Sequence, residues 1–433
     1  MTTPLQQPAK TPLGSKRRPH IFYGWNIVGA SVVALAVMGG STFQGLGIFF
    51  VALERQFGWS RAVLSGAFTL SRGEGAFLGP VEGILVDRLG SRRMVLIGMA
   101  ILGAGFLFLS TVHTVVGFYA AFLVIFTGAG LGGWLPLMTA INHWFARHRS
   151  KAMAIGMTGF NVGGVLVPAL AWVITEVGWR KTSVGLALLV WALAIPLSML
   201  VRNRPEEYGL HPDGDPSSDP GPDHAQAHAD SRTAEIDFTL GEALRTQAFW
   251  LISITHALSV ASVATLSVHI VPALTDMDFS LTTAGVVVAI YTFTGVVFQL
   301  VGGFLGDRLR SKPIAIAIFV AIQSVSMVLA ATMRTMPAVI AFAILYGIGF
   351  GGRTPLLTAI RGDYFGRKNF ATILGTSQLV LNLVTMGLPL LAGYFYDVMG
   401  SYTVPFLGLA VLNIIGAVAI LPTRKPAKPA SRS

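Results

Sequence analysis

The chain has no cysteine and little charge: of its 433 residues, 12% are Asp, Glu, Lys or Arg. The missing thiols exclude disulfides, thiol catalysis and cysteine metal sites, and say nothing about redox compartment. The shortage of charge excludes more. With 53% hydrophobic residues and a mean hydropathy of +0.65, a soluble protein of this size would lack polar surface, so the chain is read as living in lipid. Also absent are a Ser-His-Asp setting, a phosphate-cradling loop and metal-ligand spacing. That argues against an enzyme, against direct ATP drive and against any cofactor. His211, His224 and His228 share one polar stretch, but their spacing fits no tight ligand geometry and no acid pair completes a shell, so no metal is expected. The net charge of +11 forms no basic stripe with interleaved aromatics, which removes nucleic acid as a partner.

What is present is a series of apolar runs. Crossing the hydrocarbon takes roughly 20 helical residues. Twelve segments qualify, at approximately 24-51, 62-86, 94-112, 115-141, 152-176, 182-201, 248-273, 282-306, 313-332, 337-361, 371-396 and 402-421. The first follows the basic residues Lys10, Lys16, Arg17 and Arg18, is too long for the core of a signal peptide and has no cleavage site after it, so it is read as a retained helix. Placing both tails and the even-numbered connections on one side collects nearly all Lys and Arg there. The other side receives Arg55, Arg61, Arg180, Lys181 and Arg334. By the positive-inside rule both termini are expected in the cytoplasm. The implied divisions are a tail over 1-23, a six-helix bundle over 24-201, a disordered polar linker over 202-246, a second bundle over 247-421 and a tail over 422-433.

Two phrases recur half a chain apart. Gly83-Ile84-Leu85-Val86-Asp87-Arg88, with Arg92 and Arg93 after it, is repeated as Gly303-Phe304-Leu305-Gly306-Asp307-Arg308, with Arg310 and Lys312 after it. GLGGWLPLMTAINHWF at 130-145 likewise aligns with GFGGRTPLLTAIRGDYF at 349-365, setting Pro136 on Pro355 and Trp134 on Arg353. Repetition in the same order marks parallel half-repeats. The paired glycine-aspartate-arginine phrase, between the second and third helix of each half, resembles the motif of the major facilitator superfamily. The resemblance covers nearly the whole chain and implies an all-α membrane protein of twelve transmembrane helices in two six-helix parallel repeats. FGWSRAVLSGAF at 57-68, HWFARHRSKAMAIG at 143-156, GWR at 178-180 and RPEEYGL at 204-210 look like the prokaryotic monocarboxylate transporter and oxalate:formate antiporter branch. This similarity implies alternating-access secondary transport of a small organic anion with a proton or a counter-substrate, by a monomer in the plasma membrane, which in a bacterium is the inner membrane. Transport or export of a larger, partly apolar metabolite, vitamin or drug is the alternative that the aromatic content allows. A nontransporting sensor is a remote third reading, because it calls for an output domain or a long signalling tail.

The candidate residues follow from charge in lipid, which is costly unless it faces protein or water. Asp87 and Asp307 stand at cytoplasmic helix ends, where each can pair with the nearby Arg88, Arg92 and Arg93 or Arg308 and Arg310, or face the N-terminus of a neighbouring helix. With Gly83 and Gly303 they are read as a cytoplasmic gate, and Glu82 as part of its network. Arg353 and Arg72 fall inside spans. Arg353 is either a carboxylate grip or a structural arginine tied to backbone carbonyls. The resemblance puts it beside the path, since helices 1, 4, 7 and 10 line the cavity in the family. Glu74 points about 200° away from Arg72, so each needs its own partner, and Glu74 is a candidate proton carrier. His256 and His269 are further proton-relay candidates on different faces of the seventh helix. Tyr119, Asn161, Tyr291, Asn142, Asn382 and Gln299 offer neutral polar contacts, with helix-helix hydrogen bonds the competing role for all of them. One departure stands out. Anion-carrying relatives commonly have an arginine on the eighth helix where this chain has Gln299, so the family's carboxylate site does not transfer directly.

Overall fold

The computed structural model describes residues 22-43, 45-59, 61-214, 237-309 and 311-427. Among these the chain is helical and has no strand. Counted from the N-terminus, the first span is Gly24–Met38 continued by a π turn at Gly39–Phe43 and by Leu46–Phe57. The second is Arg61–Leu89 and the third Ser91–Ser110. The fourth is Val115–Gly132 with Trp134–Trp144, the fifth Arg149–Val165 with Val167–Val177, and the sixth Trp179–Leu200. Spans seven to twelve are Gln247–Thr275, Leu281–Gly306, Lys312–Thr332, Met336–Phe365, Phe370–Met399 and Thr403–Ile420. By length and composition, 11 of these are apolar enough to cross a membrane. The remaining one is the second, whose Arg72, Glu74, Glu82, Asp87 and Arg88 dilute its hydropathy.

The repeat read from sequence reappears as a repeat of packing. The third span packs on the fourth and sixth, as the ninth packs on the tenth and twelfth; the first packs on the fifth, as the seventh packs on the eleventh. Each half thereby buries its own apolar core, the first around Phe106, Phe118 and Phe122, the second around Phe342 and Phe406. The halves meet along two seams related by the same exchange: second against eleventh, and eighth against fifth. One local difference breaks the likeness. The fourth span is interrupted at Gly133 just before Pro136, whose missing N–H cannot continue the ladder, whereas the tenth runs unbroken through Pro355.

The connection expected to be disordered over 202-246 is structured at both described ends. Arg202 lies between the rings of Tyr23 and Tyr208, at 3.9 and 4.1 Å, and Pro205–Tyr208 forms a 3-10 turn. At the other end Leu240–Leu244 is helical behind a Thr239/Glu242 capping box, and Phe238 is buried edge-on against Phe365. These segments are ordered by docking Tyr208 and Phe238 on the bundles, whereas the polar composition of the connection as a whole pointed the other way. His211 is exposed; His224, His228 and Arg310 lie outside the described residues.

Candidate functional site

A cavity of about 270 Å³ lies between the first, second, fourth, fifth and eleventh spans. Its polar wall comes from both halves: Glu74 and Glu82 on the second span face Gln378 and Asn382 on the eleventh, while Phe126, Trp134 and Phe160 supply the apolar wall. Glu74 and Glu82 stand eight residues apart on one side of their helix, roughly 12 Å along its axis. Thr127 of the fourth span donates a hydrogen bond to Glu74 Oε1. Among the described residues the other carboxylate oxygen, Oε2, is buried without a partner, and so is Gln378 Oε1. The Glu82 carboxylate lies against Gly130, where any added Cβ would displace it. Against the two acids the cavity sets the NH2 donors of Gln378 and Asn382, and two of its buried oxygens have no partner among the described residues. Glu82, read from sequence as part of the gate, is thus a cavity residue.

The duplicated aspartates occupy the basic end of the bundle, each at the far side of a seam. Asp87 accepts from the backbone N–H groups of Ala371 and Thr372 at 3.3 and 2.8 Å, at the start of the eleventh span. Asp307 accepts from Ser150 and Lys151 at 2.8 and 3.1 Å, at the start of the fifth. Each therefore fills the unsatisfied N–H groups of a helix belonging to the opposite half, where the macrodipole also favours a carboxylate. Of the partners open to them from sequence, the structure selects helix N-termini. Among the described residues Arg88, Arg93 and Arg308 are exposed and form no ion pair with either aspartate; Arg92 gives its backbone N–H to Asn203. Arg204 and Lys312 supply the positive charge near Asp87 and Asp307. Burial pushes the Asp307 carboxyl above its usual range, against the pull of its N–H donors and Lys312.

Gly83 and Gly303 permit these seams. A Cβ on Gly83 would come within 2.7 Å of Thr372 Cα, and one on Gly303 within 2.9 Å of the Ser150 carbonyl oxygen. Further contacts that join the halves gather at this end. Arg149 of the first half pairs with Asp363 of the second, which Lys312 holds from within its own half. Arg367 donates to the His143 carbonyl at 2.7 Å, while His143 Nε2 lies 2.8 Å from the Arg367 carbonyl.

Several candidates are placed away from the cavity. Arg353 is fully buried, giving Nε–H to Gln323 Oε1 at 2.7 Å and an N–H to the Ser259 carbonyl at 3.1 Å. Gln323 also donates to Ser259 O, so spans seven, nine and ten share one polar knot. Gln299 donates to the Ala154 carbonyl at 2.9 Å, tying the eighth span to the fifth. His256 is buried with Nδ1 3.3 Å from an Arg361 N–H. His269 is held between the Tyr402 hydroxyl, 3.2 Å from Nδ1, and the Pro389 carbonyl, 2.9 Å from Nε2. Tyr119 donates to the Val63 carbonyl at 2.7 Å, and Tyr291 packs edge-on against Tyr346 at 5.3 Å. Asn161 is half-buried beside Phe160, a cavity residue. Arg72 is on the second span; its side chain lies outside the described residues. Sequence reasoning passed over Gln378, Thr127 and Gln323. A lone amide in an apolar run was the signal for Gln323, while nothing local marked Thr127.

Comparison with known proteins agrees with this architecture. The Major Facilitator Superfamily model matches residues 29–280 and 252–433. The chain belongs to the major facilitator superfamily. Within it, the chain is similar to monocarboxylate transporter 13 of Rattus norvegicus, 25% identical over 410 residues, with 92% of this chain and 88% of that one covered. It is likewise 25% identical over 433 residues to monocarboxylate transporter 11 of Homo sapiens, covering 96% of this chain and 84% of that one. Two solved superfamily structures share its fold. The proton:xylose symporter XylE superposes with a TM-score of 0.70 at 15% identity, covering 92% of this chain and 94% of that one. The human organic anion transporter MFSD10 gives 0.62 at 15% identity, covering 92% and 99%. The protein is accordingly a multi-pass membrane transporter, not an enzyme.

Proposed function

We propose that this transporter moves a small monocarboxylate together with a proton by alternating access. The observation that carries the reading is the cavity, in which two carboxylates and two amides converge from the two halves. An anionic substrate beside ionised Glu74 and Glu82 is repelled; once an acid is protonated, it turns from a repelling charge into a hydrogen-bond donor for the substrate carboxylate. Substrate and proton therefore enter as one unit, with Glu74 as the coupling acid. The relatives named monocarboxylate transporters support the substrate class. A volume of about 270 Å³ supports a small one, since drug-sized sites run from roughly 300 to 1,000 Å³.

Positive-inside asymmetry assigns the basic end to the cytoplasm. The conformation described is then closed toward the cytoplasm, with Asp87 and Asp307 as paired latches. Opening pulls each aspartate off the helix start that it caps in the opposite half, and the equivalent seams make the two latches release together.

The experiment is uptake into proteoliposomes under an imposed proton gradient, with a panel of radiolabelled monocarboxylates. Glu74→Gln is expected to abolish accumulation driven by the gradient and to retain exchange of substrate at equal concentrations. Gradient-driven accumulation like that of the parent in Glu74→Gln defeats the coupling role, and failure to carry any monocarboxylate defeats the substrate class. The aromatic wall of Phe126, Trp134 and Phe160 favours a second reading, a partly apolar metabolite, and the same panel extended to aromatic acids decides between them.

A further inference from the structure

The two ordered ends of the central connection each grip one of the turns that receive the duplicated aspartates. Asp213 accepts from the backbone N–H groups of Ala146, Arg147 and His148 at 2.9, 2.7 and 3.3 Å. Asp237 accepts from Arg367 and Lys368 at 2.8 and 3.0 Å. The same sequence offset relates Arg147 and His148 to Arg367 and Lys368 and relates Asp87 to Asp307. Both turns are therefore held by two carboxylates, one from the connection and one from the opposite half. Asp213 N-terminally and Asp307 a few residues on hold the turn before the fifth span; Asp237 and Asp87 do the same before the eleventh.

Both grips sit on anchored backbone. Asn203 accepts from the Arg92 N–H at 3.0 Å and Trp144 donates to the Arg202 carbonyl at 3.0 Å. On the other side, Phe238 N–H bonds the Phe365 carbonyl at 3.0 Å and Asn369 donates to the Phe238 carbonyl at 2.7 Å. Asp213 keeps its place with φ at 61°, in the left-handed region, which a short polar side chain tolerates better than most.

We infer that Asp213 and Asp237 are positioning residues of the transport cycle, fixing the N–H groups into which Asp307 and Asp87 dock. Each grip lies within one half, so it survives the rocking of the halves. Its effect on the cycle comes through preorganisation. A turn already ordered by the connection pays less conformational entropy when the opposing aspartate arrives, and the closed state gains by that difference. The connection thereby sets how long the basic end stays shut. This inference rests on the reading of that end as a gate.

The natural absence of cysteine makes the test direct, since two introduced cysteines are the only labelling sites. Leu96 and Ile314, exposed at the basic ends of the third and ninth spans in opposite halves, take the spin labels as Leu96→Cys and Ile314→Cys. Electron–electron distance measurement on the full chain in nanodiscs then reports the ratio of closed to open populations. Asp307→Asn, Asp213→Asn and Asp237→Asn are each expected to raise the open population, the last two on the order of fivefold to tenfold. A shift in Asp307→Asn with none in Asp213→Asn and Asp237→Asn overturns the positioning role and leaves the gate standing, whatever happens to the melting temperature. No shift in any of the three overturns the gate and the positioning role together. Asp213→Glu, which keeps the charge, is expected to recover part of the closed population; a merely structural contact lowers the melting temperature and leaves the ratio alone.

Discussion

Replacing Gly83 with alanine tests the seam between the second and eleventh spans with a single methyl group. The new Cβ would stand 2.7 Å from Thr372 Cα and 2.8 Å from the Ala371 carbonyl carbon, both backbone atoms that cannot rotate away. Ordinary carbon contacts are about 3.5–4.0 Å, so the helices must part by roughly 1 Å. Overpacking of this kind costs about 1–3 kcal/mol. Parting also stretches the Asp87 bonds, which begin at 3.3 Å to Ala371 and 2.8 Å to Thr372. Losing one charge-assisted bond adds about 1.5–3 kcal/mol. The closed state then rises by about 2.5–6 kcal/mol relative to the open one, where the seam is separated and neither term applies. A shift of that size changes the population ratio by a factor on the order of 100 to 10,000. Leu381, a nearly buried cavity residue, reports it as Leu381→Cys. A membrane-impermeant maleimide applied from the side of the basic end is expected to label this cysteine slowly in the parent and at least tenfold faster with Gly83→Ala. Equal labelling rates, with no loss of thermal stability, would show that the seam does not close that end.

Three other outcomes are expected. Arg353→Met leaves Gln323 Oε1 without its donor, so the melting temperature of the purified protein should fall, by about 1–3 kcal/mol in stability; adding Gln323→Leu should recover part of it. Unchanged melting with lost substrate binding would return Arg353 to the substrate path. Gln299→Leu removes the bond from the eighth span to the Ala154 carbonyl and should destabilise by about 1 kcal/mol without abolishing uptake; loss of uptake at unchanged stability refutes that assignment. Asp307 has its carboxyl raised by burial, so its contribution to stability is present below the ordinary carboxylate range and is lost as pH rises through the raised value. Thermal melts across that window should show a downward slope with rising pH that Asp307→Asn flattens; an identical slope in the variant contradicts it.

The chain order of apolar runs, the sidedness of its Lys and Arg and the repeated aspartate phrase are properties of sequence, and they determined the twelve helices, the two halves and the superfamily. Lipid makes this possible, because a spanning segment must satisfy its own backbone hydrogen bonds and so is marked by its length and apolarity, less sharply in the charge-diluted second span. Which side chains meet across helices is a different matter. Arg353 satisfies the rule that a charge in lipid is a functional candidate, yet Gln323 and Ser259, on two other spans, absorb it into a structural knot. Glu82 stands beside the repeated aspartate phrase in sequence, yet the helix turns it onto Gly130 and into the cavity. Asp213 and Asp237 sit in a stretch whose composition says disorder, and only the turns of the two bundles give them N–H groups to hold. Such pairings depend on the rotation and crossing of helices far apart in the chain, set by packing of the whole bundle, so no local pattern carries them and the tertiary structure alone decided them.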